Sequence, residues 1–314
     1  MDKNIRIVFM GTPSFAVASL KELVNEGFNI AAVVTAPDKP AGRGLQLQQS
    51  AVKMYAMENG LPVLQPEKLK NEAFLKELKS LNADLFVVVA FRMLPEVVWN
   101  MPPMGTINVH GSLLPKYRGA APINWAIING ERETGVTTFK LKHDIDTGNI
   151  LLQDTIPIND AETAGDLHDV MMETGARLLV KTINGLINNS LKEIQQPDIP
   201  DAPHAPKIFT EHCRIKWNEK IESIYNLIRG LSPFPGAFTT LNNKIFKIYR
   251  AEKDYSKTNV TPGEIITDNK SYLKIAGADG LLNVKEIQAQ GKKRMQIEEF
   301  LRGNRIELKL DWSV

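Results

Sequence analysis

The chain has 314 residues, 43% of them hydrophobic, which is enough to bury a substantial core and fits about two domains. The formal net charge of +2 hides an uneven distribution: from Phe209 onward 18 Lys and Arg face 13 Asp and Glu, whereas residues 1–208 carry 20 against 23. A basic module joined to a mildly acidic one suits a polyanionic partner. No run of about 18 apolar residues exists, so no membrane-spanning helix is expected. The start MDKNIRIVFMGTPSF reads as a first strand and not as a signal peptide. The single cysteine, Cys213, excludes an intramolecular disulfide framework, and a reducing cytoplasm is the expected compartment.

Ile5 to Met10 is a β-branched apolar run that stops at Gly11-Thr12-Pro13, after which Phe15, Leu20 and Leu23 recur at helical spacing as far as Gly27. A second strand, Ile30 to Thr35, completes a strand-helix-strand unit that crosses over right-handed into a parallel sheet. MGTPSF lacks the three-glycine spacing that brings a backbone against a pyrophosphate, which argues against a dinucleotide cofactor. Residues 36–49, APDKPAGRGLQLQQ, form a long polar loop in which Lys39 and Arg43 are suited to gripping a phosphate backbone or a nucleic-acid end.

Ser50 is placed to cap a helix reaching Asn59, and Leu61-Pro62-Val63 begins a short strand. A charged helix is expected from Glu67 to Leu81. Ala83 to Ala90 then reads as an apolar strand in the middle of a sheet covered on both faces. Ligands in open α/β sheets sit outside the carboxyl ends of strands. The corner at Phe91-Arg92-Met93-Leu94 and the one after Ile107-Asn108-Val109 are therefore the natural pocket walls.

The central stretch, Gly105 to Asn149, contains a carboxamide (Asn108), an imidazole (His110) and, about 36 residues later, a carboxylate (Asp146) in a glycine turn. These groups suit acyl transfer to an amine. A developing oxyanion needs fixed donors, which a carboxamide and an imidazolium supply. A carboxylate near the imidazole raises its basicity and helps relay the proton that the attacking amine loses. Ser112 as a nucleophile is disfavoured because the elbow with Gly two residues on either side of the Ser is absent. The spacing of the five His and one Cys does not resemble a zinc site, and no metal is expected.

Ile150 to Ile158 is expected to continue the sheet, and Thr163 to Leu186 to form a long helix with Leu167, Val170, Met171, Leu178, Leu179 and Ile183 on its apolar stripe. His168 in that helix reads as a surface or satisfied residue. Gln196 to Pro206 contains four prolines and reads as a semi-rigid linker. Beyond it, Glu219 to Leu231 is a short helix. Five short strands follow, near Ala237 to Leu241, Lys244 to Arg250, Gly263 to Thr267, Tyr272 to Ala276 and Leu281 to Gln288, and suggest a small barrel. Lys244, Lys247, Arg250, Lys292, Lys293 and Arg294 are its candidate phosphate-facing residues. The expected organisation is thus a Rossmann-like, mostly parallel α/β sheet with helices on both faces over residues 1–190, a proline-rich linker over 191–208, and a smaller β-barrel domain over 209–314. Nothing in the chain demands a dimer, and a monomer is expected.

The segment HGSLLPKYRGAAPINWAIINGERETGVTTFKLKHDIDTGNI resembles the signature of the folate-dependent formyltransferases. MGTPSFA at the front, the PDKPAGRG loop and SPFPGAF at Ser232 to Phe238 extend the likeness over essentially the whole chain, and the PAGRG loop points to the members that act on tRNA. The resemblance implies transfer of a formyl group from 10-formyl-tetrahydrofolate to the α-amino group of methionine on initiator tRNA. It implies that Asn108, His110 and Asp146 are catalytic. Phe91, Arg92, Met93 and Leu94 match the pterin-side wall, and Ser112, Leu113, Leu114 and Pro115 carry over as further folate-binding positions. Arg43 falls in the loop that enters the acceptor end of the tRNA, and the C-terminal domain corresponds to an OB-like barrel that supports tRNA. One departure stands out, since Asp144-Ile145 precede Asp146 and make Asp144 a competing carboxylate. Asp146 is the one directly in Asp-Thr-Gly.

Overall fold

The computed structural model describes residues 4–41, 46–241, 243–256 and 260–303, so Arg43 lies outside the described residues. The chain forms two compact units. Residues 1–119, 134–156 and 168–203 make the first, and residues 120–133, 157–167 and 204–314 make the second. The division interleaves along the sequence.

The first unit is built on strands β1 (Arg6–Gly11), β2 (Asn29–Val34), β5 (Val63–Leu64), β6 (Leu85–Val89), β7 (Thr106–His110), β9 (Glu133–Lys140) and β10 (Ile150–Pro157), in the sheet order β10-β9-β7-β6-β1-β2-β5. From β7 to β5 the pairings are parallel, while β9 runs antiparallel to β7. Every residue of β6 is buried, as a strand covered on both faces requires. On one face Phe74 and Leu78 of α3 (Glu72–Ser80) pack with Val8, Met10, Val34, Phe86 and Val88. The helix begins five residues later than expected, because Asn71 caps it through a bond from the Phe74 N–H at 3.2 Å. Ser50 caps α2 (Ala51–Glu58) as read from the sequence, accepting from the Lys53 N–H at 3.0 Å.

The polar loop of residues 36–49 carries structure of its own. Two short strands, β3 (Lys39–Ala41) and β4 (Gln46–Gln48), pair antiparallel, with Lys39 opposite Gln48. At the hairpin base the Lys53 ammonium meets Asp38 at 2.5 Å, and Gln65 donates to Asp38 at 2.8 Å. The long helix α6 (Ala164–Ile187) begins at a reciprocal cap in which the Thr163 N–H donates to the Asp166 carboxylate at 2.9 Å.

In the second unit, α5 (Pro122–Ile128) lies against α7 (Ile221–Gly230) at a point where only glycine fits. A Cβ on Gly230 would stand 2.6 Å from Ile128, and the Asn124 amide donates to the Gly230 carbonyl at 2.7 Å. This close packing is why the segment 120–133 belongs with the C-terminal part. Strands β12 (Ala237–Leu241), β13 (Lys244–Asp254), β16 (Leu281–Ala289), β15 (Leu273–Ala276) and β14 (Ile265–Thr267) follow one another in an antiparallel sheet, with β17 (Met295–Gln296) on β16. Among the described residues no pairing joins β14 back to β12, so the small-barrel module is a curled half-barrel. Trp217, Ile221, Ile224, Ile248, Val284 and Ile287 fill its core, and the Trp217 indole donates to Thr239 at 3.1 Å. Among the described residues no helix is long and apolar enough to cross a membrane.

Candidate active site

Asn108 and His110 are two residues apart on β7, so the alternation of a strand puts both on one sheet face at its carboxyl end. Asn108 pairs in register with Val88 of β6 and Phe139 of β9. It is half-buried, and among the described residues nothing hydrogen-bonds its carboxamide, which leaves that amide free to donate. His110 is only 6% exposed, with the edge of its ring set T-shaped to Phe139. Its Nε2 lies 2.9 Å from the Tyr117 carbonyl, which can only accept, so that nitrogen carries a hydrogen. Proton exchange at this imidazole is therefore left to Nδ1. Nδ1 faces the Asp146 carboxylate at 3.8 Å, inside ion-pair range but beyond a direct hydrogen bond.

The turn that carries Asp146 is held by three hydrogen bonds. Oδ2 of Asp146 accepts the Gly119 N–H at 3.0 Å, while Nε2 of Gln196 donates to the carbonyls of both Asp146 and Gly148 at 2.8 Å. Oε1 of Gln196 accepts from Arg118 at 3.0 and 2.6 Å, locking the amide's orientation. Asp146 itself has φ +54°, a left-handed conformation that costs an L-residue about 1–2 kcal/mol and needs such support. Gly148 cannot be otherwise, since a Cβ there would stand 1.5 Å from the Lys140 carbonyl oxygen. A further clamp comes from Glu193, which pairs with Lys140 at 2.6 Å and accepts from Asn149 at 2.9 Å. The Lys140 ammonium, with help from Asn149, holds the Glu193 carboxyl below the usual carboxylate range.

Asp144 stands apart from this arrangement. Its side chain is 81% exposed and, among the described residues, reaches only its neighbour His143, at 3.4 Å, against 12% exposure for the Asp146 side chain. Ser112 is fully buried and donates to the Lys116 carbonyl at 2.7 Å, which removes it as a nucleophile. Its carbonyl accepts from Thr137 at 2.6 Å, and the Leu114 N–H donates to Thr137 at 3.1 Å, so the loop after β7 is fixed from below. Leu114 and Pro115 are buried and Leu113 half-buried. Leu113 packs against Gly135, where an added Cβ would meet its side chain at 2.6 Å.

At the carboxyl end of β6 the chain leaves through Ala90, at φ +46°. Phe91 is half-buried, Arg92 lies over its ring at 5.6 Å, and the Arg92 guanidinium is tied to the Glu67 carbonyl at 2.8 Å and to the Pro66 carbonyl. Met93 is 72% exposed, whereas Leu94 belongs to the core beneath. His168 lies edge-on to Phe15 at 5.3 Å and bonds Asp169 at 3.0 Å, a satisfied surface residue.

The candidate phosphate-facing cations divide into two groups. Lys39, Lys244, Lys292 and Lys293 are exposed, and among the described residues none is in an ion pair. Arg294, stacked over Tyr249 at 4.4 Å, makes a two-pronged bridge to Glu286, which also draws Arg250 to 3.8 Å. Lys247 is half-buried and donates to the Pro235 carbonyl at 2.7 Å. Among the described residues no group of three or more His, Cys, Asp and Glu side chains could hold a metal ion. The residues that a sequence reading does not find are Gln196, Arg118 and the backbone groups of Tyr117 and Gly119. All of them act across tens of residues or through main-chain atoms, which leave no local signature.

Asn108 and His110 lie at the carboxyl end of β7 in a mostly parallel sheet, the side on which open α/β folds take their ligands, and with the Asp146 carboxylate they suit group transfer. The description "Formyl transferase" matches residues 3–183, and "Formyl transferase, C-terminal domain" matches residues 207–305. The methionyl-tRNA formyltransferase of Bacteroides thetaiotaomicron is 50% identical over 312 residues, 97% of each chain, and that of Parabacteroides distasonis is 54% identical over 311 residues, 96% of each. Among solved structures, WlaRD, a sugar 3N-formyl transferase crystallised with dTDP and 5-N-formyl-THF, aligns with a TM-score of 0.67 at 25% identity, covering 92% of this chain and 99% of that one. The chain belongs to the formyl transferase family and, within it, to the methionyl-tRNA formyltransferases.

Proposed function

We propose that the protein transfers the formyl group of 10-formyl-tetrahydrofolate to the α-amino group of methionyl initiator tRNA. In the reaction the bond from the formyl carbon to the folate N10 breaks, a bond to the methionine nitrogen forms, the amine gives up a proton and N10 receives one. The observation that carries the residue roles is the His110 Nδ1 facing Asp146 at 3.8 Å while Nε2 is committed to the Tyr117 carbonyl. Nδ1 faces the carboxylate without a direct bond to it, so a proton passing through Nδ1 is open to an acyl oxygen or a departing nitrogen. Asn108, with its unengaged amide, is the second donor to the developing oxyanion.

Phe91, Arg92, Met93 and Leu94 at the end of β6, and Ser112 to Pro115 after β7, are assigned to the folate side. Ser112 and Leu94 act there as buried supports and not as contact atoms, in keeping with their burial. The tRNA side is assigned to Lys39 and Arg43 of the sequence stretch 36–49 and to the basic residues Lys244, Lys247, Arg250, Lys292, Lys293 and Arg294 beyond the linker. On this reading residues 1–190 are catalytic, 191–208 link and 209–314 bind tRNA, and the enzyme works as a cytoplasmic monomer.

The test is to supply 10-formyl-tetrahydrofolate together with either methionyl-tRNA or an amino-sugar nucleotide and to ask which amine is formylated. Formylation of methionyl-tRNA alone is expected. Preferential formylation of the sugar amine would refute the assignment.

A further inference from the structure

The second unit contains a cavity of about 570 Å³ that the chemistry described so far does not use. Its lining includes Ala121, Phe209, Phe234, Phe238, Ile245 and Lys247. Three of these apolar side chains are open to solvent, Phe234 at 80%, Phe209 at 50% and Ile245 at 44%. Exposed aromatic rings grouped about one hollow signify binding more than packing. Cations border it on several sides: Lys207 lies over the Phe209 ring at 5.5 Å, Arg214 over Phe238 at 5.6 Å, and Lys247 reaches the cavity wall with its ammonium on the Pro235 carbonyl at 2.7 Å. Among the described residues none of the three is in an ion pair, and the stretch 207–214 offers one carboxylate, Glu211, in return. Gly236, at φ +87°, keeps the floor open, since a Cβ there would stand 3.2 Å from Lys247 and 3.0 Å from Tyr249.

We propose that this cavity is a binding site for an unpaired nucleotide, the base stacking on the exposed Phe234 or Phe209 ring and the phosphate drawn to Lys247 and its neighbouring cations. Stacking platforms flanked by cations bind single strands because every base has a π-face. A base within a duplex has both faces covered and cannot use such a ring. The inference rests on the methionyl-tRNA reading, in which the reacting amine is attached to the unpaired 3′ end of the tRNA, and it commits to that end as the occupant.

The test uses the full-length protein and equilibrium binding of three RNAs: uncharged tRNA with its 3′ end intact, the same tRNA trimmed back to its last base pair, and methionyl-tRNA. The wild type should bind the intact forms more tightly than the trimmed one. Phe234→Ala should weaken intact and methionyl-tRNA by about 10-fold, the loss of one base stack. It should leave the trimmed tRNA and 5-formyl-tetrahydrofolate binding unchanged, Phe234→Tyr should restore the affinity, and Lys247→Met should act on the same RNAs as Phe234→Ala. Equal losses on intact and trimmed tRNA, or none on either, would overturn the site. A loss confined to methionyl-tRNA would overturn it too, by making the cavity a pocket for the methionine side chain. A wild type that formylates methionyl-tRNA yet binds trimmed and intact tRNA alike refutes the cavity alone, whereas one that does not formylate methionyl-tRNA refutes the functional reading beneath it.

Discussion

Gln196 and Asp146 are 50 residues apart in sequence, yet the Gln196 amide donates to the Asp146 carbonyl at 2.8 Å and fixes the carboxylate opposite His110. The same nitrogen reaches the Gly148 carbonyl, so one side chain spans the whole Asp146-Thr147-Gly148 turn. Gln196→Leu should therefore release the turn. A buried carbonyl, that of Gly148, and a part-buried one, that of Asp146, would lose their donor, at about 1–3 kcal/mol each where water does not replace it. The expected outcome is a fall in kcat of about 10- to 100-fold with KM for both substrates within about 2-fold, because the carboxylate shifts while the binding walls do not. A rise in KM at constant kcat would show that Gln196 shapes binding instead.

Gly148→Ala should be among the most damaging single substitutions in the first unit. Its Cβ would stand 1.5 Å from the Lys140 carbonyl oxygen and 2.7 Å from the Lys140 carbonyl carbon, both backbone atoms that cannot yield cheaply. A loss of at least about 3 kcal/mol in unfolding free energy is expected from urea titration. Gly27→Ala provides the comparison. Nothing lies within 4 Å of its added Cβ, so only the strain of φ +75° remains, worth about 1 kcal/mol.

Acid should loosen the turn through Glu193. Its folded-state pKa is lowered by the Lys140 ammonium first and by Asn149 next, so its contribution to stability is present above the ordinary glutamate value of about 4.3 and is lost as pH falls through the lower folded value. Because the pair is partly exposed, the amount is small, under about 1 kcal/mol. Lys140→Met should lower the urea midpoint at pH 7 and flatten its dependence on pH below about 4, relative to the wild type. An unchanged acid limb would remove Glu193 from the account.

The basic residues of the half-barrel should not contribute equally to tRNA binding. Lys292→Gln and Lys293→Gln remove exposed cations without a carboxylate partner among the described residues, and each should lower the slope of log affinity against log salt by about 1. Arg294→Gln breaks the two-pronged bridge to Glu286 and leaves that carboxylate with Arg250 at 3.8 Å, so its loss of affinity would come with a change in the sheet's own stability. A larger salt-slope change for Arg294 than for Lys292 and Lys293 would reverse the ranking.

Much of the fold could be read in the chain because its information is local. Apolar runs gave β1, β2, β6 and β7. Strand alternation put Asn108 and His110 on one face, and the apolar spacing of residues 163–186 matched α6 closely. What the sequence hid depends on contacts between distant residues. Gln196 reads as the first residue of a proline-rich linker, and only folding brings it beneath the Asp146 turn. Residues 36–49 read as an unstructured polar loop, yet Lys39–Ala41 and Gln46–Gln48 pair across it. The packing of α7 on α5, which Gly230 permits beside Ile128, also joins residues far apart, with Asn124 donating to the Gly230 carbonyl. Between the two carboxylates the sequence favours Asp146, which stands directly in Asp-Thr-Gly, and leaves Asp144 as a competitor. Burial separates them, with 12% of the Asp146 side chain exposed against 81% for Asp144.

The most direct measurement is single-turnover formyl transfer to methionyl-tRNA, with saturating 10-formyl-tetrahydrofolate, by the wild type, Asp146→Asn and Asp144→Asn. Asp146→Asn should slow the chemical step by at least about 100-fold with folate binding retained, because Nδ1 of His110 loses the negative charge it faces at 3.8 Å during proton transfer. Asp144→Asn should match the wild type. A normal rate for Asp146→Asn together with a collapsed rate for Asp144→Asn would contradict the account and move the reaction away from His110.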